Sequence, residues 1–254
     1  MFGRRRSYAE AVQGRRRAAR RLGVLLLVFI GYELLSGLFL ATYVMKSQAM
    51  CPTILPGERI IVTPLAFGPR TLFGKLPGIS RPDRGEIVVV EPNYTKRPGF
   101  WELLSDSIVR FVTFQLVSTD RSGSAGNGPT RFAHDGILSA PTLQRVIGLP
   151  GDTIQMDNFE FKIKSAGSDQ FLTEFEFSST RYDISHDDAP KSWRADLPGS
   201  GHMDARVLEK DEYFIAGDAR SSSSDSRLWG PVHIDRFRAK ALLRYWPPKR
   251  FGSP

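Results

Sequence analysis

A 24-residue apolar run, Leu22–Met45 (LGVLLLVFIGYELLSGLFLATYVM), stands directly behind a cluster of arginines, and it constrains the architecture of this chain more than any other feature. Its only carboxylate or base is Glu33. A bilayer core about 30 Å thick takes about 20 residues of helix, so the run is long enough to span one. Residues 1–21 carry Arg4, Arg5, Arg6, Arg15, Arg16, Arg17, Arg20 and Arg21 against Glu10. By the positive-inside rule this basic tail stays in the cytoplasm, and everything after Lys46 lies on the outer side. Two other accounts of the run exist. A cleaved signal peptide has an apolar core of only about 7–15 residues, although Ser47-Gln48-Ala49 offers the small residues of a cleavage site. A buried soluble helix would leave the arginines unexplained. Glu33 at mid-membrane costs roughly 3 kcal/mol, and marks either a helix–helix contact or a charge tolerated by a strongly apolar span. The expectation is a single-pass anchor followed by an external globular part.

The net charge of +8 belongs to the tail, because beyond residue 21 the bases and acids nearly cancel. A body this close to neutral lacks the phosphate-seeking surface of a nucleic-acid binder. The single cysteine, Cys51, excludes an intramolecular disulfide framework and a cysteine-based zinc site. From Lys46 onward, short β-branched runs recur between Gly and Pro turns: Arg59–Thr63, Glu86–Glu91, Ile108–Leu116, Leu143–Gly148, Thr153–Met156, Phe159–Ile163, Tyr213–Ala216 and Lys240–Tyr245. This pattern predicts a mainly β fold, mixed or antiparallel, with one short helix at Ile234–Ala241. Thr119–Thr130 reads as a surface loop, and the polar stretch from about Gln155 to Leu208 as an insertion between better-patterned blocks.

Four segments carry the chemistry. They are Ser47-Gln48-Ala49-Met50-Cys51-Pro52-Thr53-Ile54-Leu55-Pro56-Gly57; Pro82-Asp83-Arg84-Gly85-Glu86-Ile87-Val88-Val89-Val90; Gln144-Arg145-Val146-Ile147-Gly148-Leu149-Pro150-Gly151-Asp152; and Gly217-Asp218-Ala219-Arg220-Ser221-Ser222-Ser223-Ser224-Asp225-Ser226-Arg227-Leu228-Trp229-Gly230. In this order, behind one anchor, they closely resemble bacterial type I signal peptidases, the membrane-bound serine proteases that remove signal peptides from exported proteins. The resemblance is weak across about 93–140 and 155–208. It implies a Ser–Lys dyad. A serine hydroxyl attacks only when a nearby base takes its proton, and a lysine is that base only when burial leaves its amine neutral near pH 7.

Both dyad positions are substituted here. The residue before Met50 is Ala49, and the residue before Arg145 is Gln144. Alanine has no attacking atom, and a carboxamide takes up no proton at biological pH. Loss of the nucleophile in a Ser protease costs on the order of 10⁶ in turnover. Ser47 matches a family serine whose hydroxyl helps bind the oxyanion. On an extended strand it shares the face of Ala49, about 6–7 Å away, too far to attack the same carbonyl. Lys46 would point to the opposite face and snorkel at the membrane. Cys51, also two residues from Ala49, reads as an ordinary small side chain, with a reactive thiol as the alternative. His134, His186, His202 and His233 lie in peripheral or weakly patterned segments.

The frame remains. By the resemblance, Arg145 pairs with Asp218, Asp225 pairs with Arg227, Ser223 matches the serine that bonds the catalytic lysine, and Met50 and Pro52 belong to the site scaffold. Ala219 departs from the usual Asn. Breaking one partner of a buried pair costs about 3–5 kcal/mol, so persistence of the pairs fits a folded site. The resulting expectation is a signal-peptidase-like β core, 46–152 plus 209–254, with an inserted β subdomain, 153–208, behind a 1–21 basic tail and a 22–45 transmembrane helix. The predicted function is an inactive, membrane-anchored accessory or chaperone in export or surface assembly at the bacterial inner membrane. It would bind extended preprotein segments with small residues, with a protein partner in the pathway and no metal, cofactor or nucleic acid. The alternative is an active signal peptidase using an unconventional nucleophile and base. A third account is an active enzyme silenced by substitution.

Overall fold

The computed structural model describes residues 17–31, 39–71, 74–94, 101, 108, 141–177, 182–187 and 200–254. The arginines before residue 17, Glu33, most of the Ile108–Leu116 strand, the Thr119–Thr130 loop and His134 lie outside the described residues.

The first element, α1, is a helix over 17–31. Fifteen residues rise about 22 Å, and among the described residues no helix is long and apolar enough to cross a membrane. The far end of the apolar run is not helical. Ala41–Val44 form β1, paired antiparallel with β2 (Arg59–Thr63) from Ala41↔Val62 to Val44↔Arg59. This corrects the expected boundary of the span at Met45: Tyr43 and Met45 are buried in the β core, so β-branched and aromatic side chains at 41–45 belong to the sheet.

The rest of the chain is mainly β. After β2 come a two-stranded ribbon, β3 (Arg70–Thr71) and β4 (Gly74–Lys75), then β5 (Ile87–Val90) and β6 (Thr142–Gly148). β7 (Thr153–Asp157), β8 (Glu160–Lys164) and β9 (Leu172–Thr173) lead into the one-turn helix α2 (Glu174–Phe177) and β10 (Met203–Val207). β11 (Glu212–Ala216), the one-turn helix α3 (Ser226–Trp229), β12 (Val232–His233) and β13 (Phe237–Trp246) close the chain. A seven-stranded sheet runs β1-β2-β13-β5-β6-β11-β12, and a four-stranded sheet runs β10-β7-β8-β9. Every named strand pairing is antiparallel.

Period-two side-chain alternation explains the core. β5 is buried throughout because its two faces feed different clusters. Ile87 and Val89 join Met50, Ile54, Ile60 and Val62, while Val88 and Val90 join Val146, Ile215 and Phe237. β11 divides likewise, and its Phe214 and Ala216 pack with Ile154, Met156, Phe161 and Ile163 of the smaller sheet. The expected helix at Ile234–Ala241 is corrected. Only Ile234–Arg236 form a 3-10 turn, and Phe237 begins the longest strand. Pairing of that strand with β2 and β5 on both edges overrides its local helical tendency.

Candidate functional site

The site gathers where the first half of β6 lies against the loop from Gly217 to Asp225. Asp225 is the anchor of that loop. It caps α3 by accepting the Arg227 main-chain N–H at 3.1 Å, and its carboxylate also takes Arg227 Nε at 2.8 Å and Nη2 at 2.7 Å. The Ser223 hydroxyl donates to it at 2.5 Å and the Gly217 N–H at 3.1 Å. Burial alone would raise the Asp225 pKa, but the Arg227 charge and these hydrogen bonds outweigh it, and the carboxyl sits below its ordinary value. The remaining Arg227 donors reach the Arg220 carbonyl at 2.6 Å and Ser223 Oγ at 2.8 Å.

The second ion pair is bidentate. Arg145 Nε and Nη2 donate to Asp218 at 2.9 and 2.7 Å, and Nη1 donates to the Gly85 carbonyl at 2.8 Å. Thr53 Oγ1 donates to the same Asp218 carboxylate at 2.5 Å. Three of the four sequence segments thus converge on one buried carboxylate, and Arg145 ties in the fourth through Gly85. The Arg84–Asp152 pair, at 2.8 Å, joins the second segment to the third a second time, and Asp152 accepts the Leu149 N–H at 2.7 Å to close the Leu-Pro-Gly-Asp turn.

Ala49 and Gln144 both reach the Gly217–Asp225 loop. The Ala49 carbonyl accepts the Ala219 N–H at 3.0 Å. Gln144 is 1% exposed, and its Nε2 donates to the Ser224 carbonyl at 2.8 Å. Its Oε1 is buried with no hydrogen-bond partner among the described residues. Ser223 therefore serves Asp225 and Arg227, and the carboxamide bonds the neighbouring main chain instead. Met50 is fully buried in the core, whereas Pro52 is exposed and offers its carbonyl to Arg250 at 3.4 Å.

The extended strand expected at Ser47–Ala49 is corrected. Residues 47–50 form a bend and a turn, closed by Cys51 N–H donating to the Gln48 carbonyl at 2.9 Å and Ile54 N–H to the Met50 carbonyl at 2.8 Å. Ser47 Oγ accordingly folds back to accept the Ala49 N–H at 3.4 Å. Lys46 is exposed. Burial, reinforced by Glu58, pushes the Cys51 thiol up from its ordinary pKa, the wrong direction for a thiolate nucleophile. His186 stacks on Phe159 with centroids 4.8 Å apart, and His202 and His233 are exposed beside Asp204 and Asp235.

Four residues of this neighbourhood escaped the sequence reading. Arg220 is fully buried, paired with Glu174 and stacked over Phe161 at 4.6 Å. Tyr182 places its ring 3.8 Å from the Arg145 guanidinium carbon and donates its hydroxyl to Glu174 at 2.5 Å. Ser185 bonds the main chain of the site loop. Arg220 lies inside a quoted segment, and its charge next to the Gly-Asp turn is the one signal that could have singled it out. Glu174, Tyr182 and Ser185 fall in the weakly patterned region, and nothing local marks them. The same hydrophobic and polar residues occur there on either side without a repeat.

A family model described as "Signal peptidase, peptidase S26" matches residues 16–246. A signal peptidase IB of Staphylococcus aureus is 23% identical over 216 residues, covering 85% of this chain and 83% of its own length. A signal peptidase I of Leptolyngbya laminosa is 23% identical over 229 residues, 88% and 80% respectively. The crystal structure of a signal peptidase I from Enterococcus faecalis V583 aligns at 17% identity with a TM-score of 0.31, covering 64% of this chain and 98% of that one.

Proposed function

The chain belongs to the signal peptidase family, peptidase S26, and from that premise we propose that it is a member without hydrolytic activity, which holds extended segments of signal-peptide-bearing preproteins and releases them uncut. One observation carries this reading. Where the family's dyad stands, the chain has a methyl group at Ala49 and a buried carboxamide at Gln144 committed to the Ser224 carbonyl. Neither side chain attacks a carbonyl or accepts a proton. Among the described residues no buried lysine stands in for the family's base. None of the buried ones is a lysine or a histidine, so none has the desolvation that brings a lysine towards neutrality. Lys240, for instance, is paired with Glu86 at the sheet surface.

The ion pairs that frame the site are retained around these two positions, which supports a cleft kept for binding. We read the apolar run that begins at Leu22 as a membrane anchor with the arginines before it in the cytoplasm, on the length of the run and on that charge asymmetry. The external part then faces exported chains as an accessory or chaperone, with a core of 41–152 plus 209–254 and 153–208 inserted. The test is cleavage of a preprotein by the purified chain beside its Ala49→Ser/Gln144→Lys double variant. The unsubstituted chain is expected to give no product above background, and the double variant to gain turnover. Turnover by the unsubstituted chain overturns the proposal.

A further inference from the structure

A short piece of the polar region lies directly on the site. Tyr182–Asp187 lie beside the Gly217–Asp225 loop, and Ser185 forms a parallel bridge with Ala219. The Ser185 N–H donates to the Asp218 carbonyl at 2.9 Å, and the Arg220 N–H donates to the Ser185 carbonyl at 2.7 Å. Ser185 Oγ donates to the Cys51 carbonyl at 3.1 Å, within the segment that holds Ala49. Three residues earlier, the Tyr182 ring covers the Arg145 guanidinium, and its hydroxyl ends on Glu174. Two residues later, the Asp187 N–H donates to Ser221 Oγ at 3.2 Å.

We propose that the main-chain edge at Asp218–Arg220 is a strand-accepting peptide site, filled here by the chain's own residues 182–187, and that it takes extended peptides bearing a small hydroxyl residue with an aromatic ring three positions earlier. This deepens the peptide-holding half of the proposed function and rests on it. Strand addition draws affinity from main-chain bonds and selectivity from side-chain contacts. Ser185 supplies both kinds at once, and Tyr182 supplies a ring for the Arg145 face. The segment is suited to leave. None of its six residues is fully buried, and none belongs to the three apolar clusters, so it is held by hydrogen bonds and by ring contacts of Tyr182 with Arg145 and Phe175 and of His186 with Phe159. A segment outside the apolar clusters opens locally at less than the cost of global unfolding. At position 185 a side chain without a hydroxyl leaves the Cys51 carbonyl without this donor.

The experiment uses the full chain, a Ser185→Pro variant, and a fluorescent peptide copying residues 182–187. Proline removes the N–H that bonds Asp218 and the hydroxyl that bonds Cys51. The probe is expected to bind Ser185→Pro about tenfold more tightly than the unsubstituted chain, and to lose that gain when its serine is replaced by valine. A second readout does not depend on the variant's folding. In the unsubstituted chain, excess probe is expected to speed amide exchange at Ser185 while Arg220 stays protected. Equal binding to both chains, equal binding of the serine and valine probes, or unchanged exchange at Ser185 each overturns the proposal. A preprotein signal segment serves as the control. If it binds while the probe does not, this inference fails and the proposed function stands. If neither binds, both fail.

Discussion

Tyr182 is a phenol set between an acid and two cations, and its ionisation is the property of the site most open to measurement. Burial raises its pKa first, the Glu174 carboxylate raises it further, and the two arginines do not offset them, so it stands well above the usual value. In the unfolded chain a tyrosine titrates at about 10. Above that pH the unfolded chain has given up a proton that the folded chain retains, so the slope of stability against pH is negative. The contribution is fully present below about pH 10 and is lost as pH rises beyond it. Replacing Tyr182 with Phe removes this component. Urea midpoints are expected to fall more steeply between about pH 9.5 and 11 for the unsubstituted chain than for Tyr182→Phe. Parallel slopes would show that the phenol is not buried against Glu174. Asp225 works in the opposite sense. Its lowered pKa adds stability above the unfolded carboxyl value, and that stability is lost in acid.

Among the elements, the Gly217–Asp225 loop depends on close backbone approach. A methyl group at Gly217 would overlap the Ala49 carbonyl oxygen and the Ser223 side chain. Those are the two contacts that bring the Ala49 turn and the Asp225 cap together, so there is no flexible side chain to yield. Gly217→Ala is therefore expected to lower stability by about 2 kcal/mol, in the range of overpacked sites, read as a shift of the denaturation midpoint. Unchanged stability would mean that the loop stands off from Ala49. The same element explains why one expectation about residues 47–49 failed. An extended strand is the ordinary reading of a short polar run, but the Gln48–Cys51 and Met50–Ile54 bonds wind it into turns that the core residues Met50 and Ile54 hold in place. At β1 the reverse occurred. Ala41–Val44 read as the tail of an apolar helix by composition, and the free edge of β2 claimed them.

For the molecule as a whole, the two larger sheets are separate in hydrogen bonding but share an apolar cluster. Ile147, Phe214 and Ala216 of the large sheet pack with Ile154, Met156, Phe161 and Ile163 of the small one. Phe161 also lies under Arg220, so the shared cluster continues into the site loop. The two sheets are expected to unfold together. Phe161→Ala should cost about 3–5 kcal/mol, as large-to-small aromatic changes in cores do, and should shift backbone and tryptophan-fluorescence transitions by the same amount. Transitions that separate would show that the small sheet melts alone.

The sequence by itself determined the mainly β architecture and most strand positions, while the two ion pairs of the site were expected only from the resemblance to signal peptidases. Period-two burial leaves a local trace at Ile60 and Val62. It also determined that Ala49 and Gln144 lack the atoms a serine protease needs, since that is a property of the side chains alone. Tertiary structure alone decided that Tyr43 joins a sheet, that Gln144 bonds Ser224 in place of the Ser223 hydroxyl, and that Glu174, Tyr182 and Ser185 come to lie on Arg220, Arg145 and Asp218. Those partners stand 33 to 46 residues apart in the chain. Contacts at such separations are selected by the packing of whole sheets, which no short window of sequence contains.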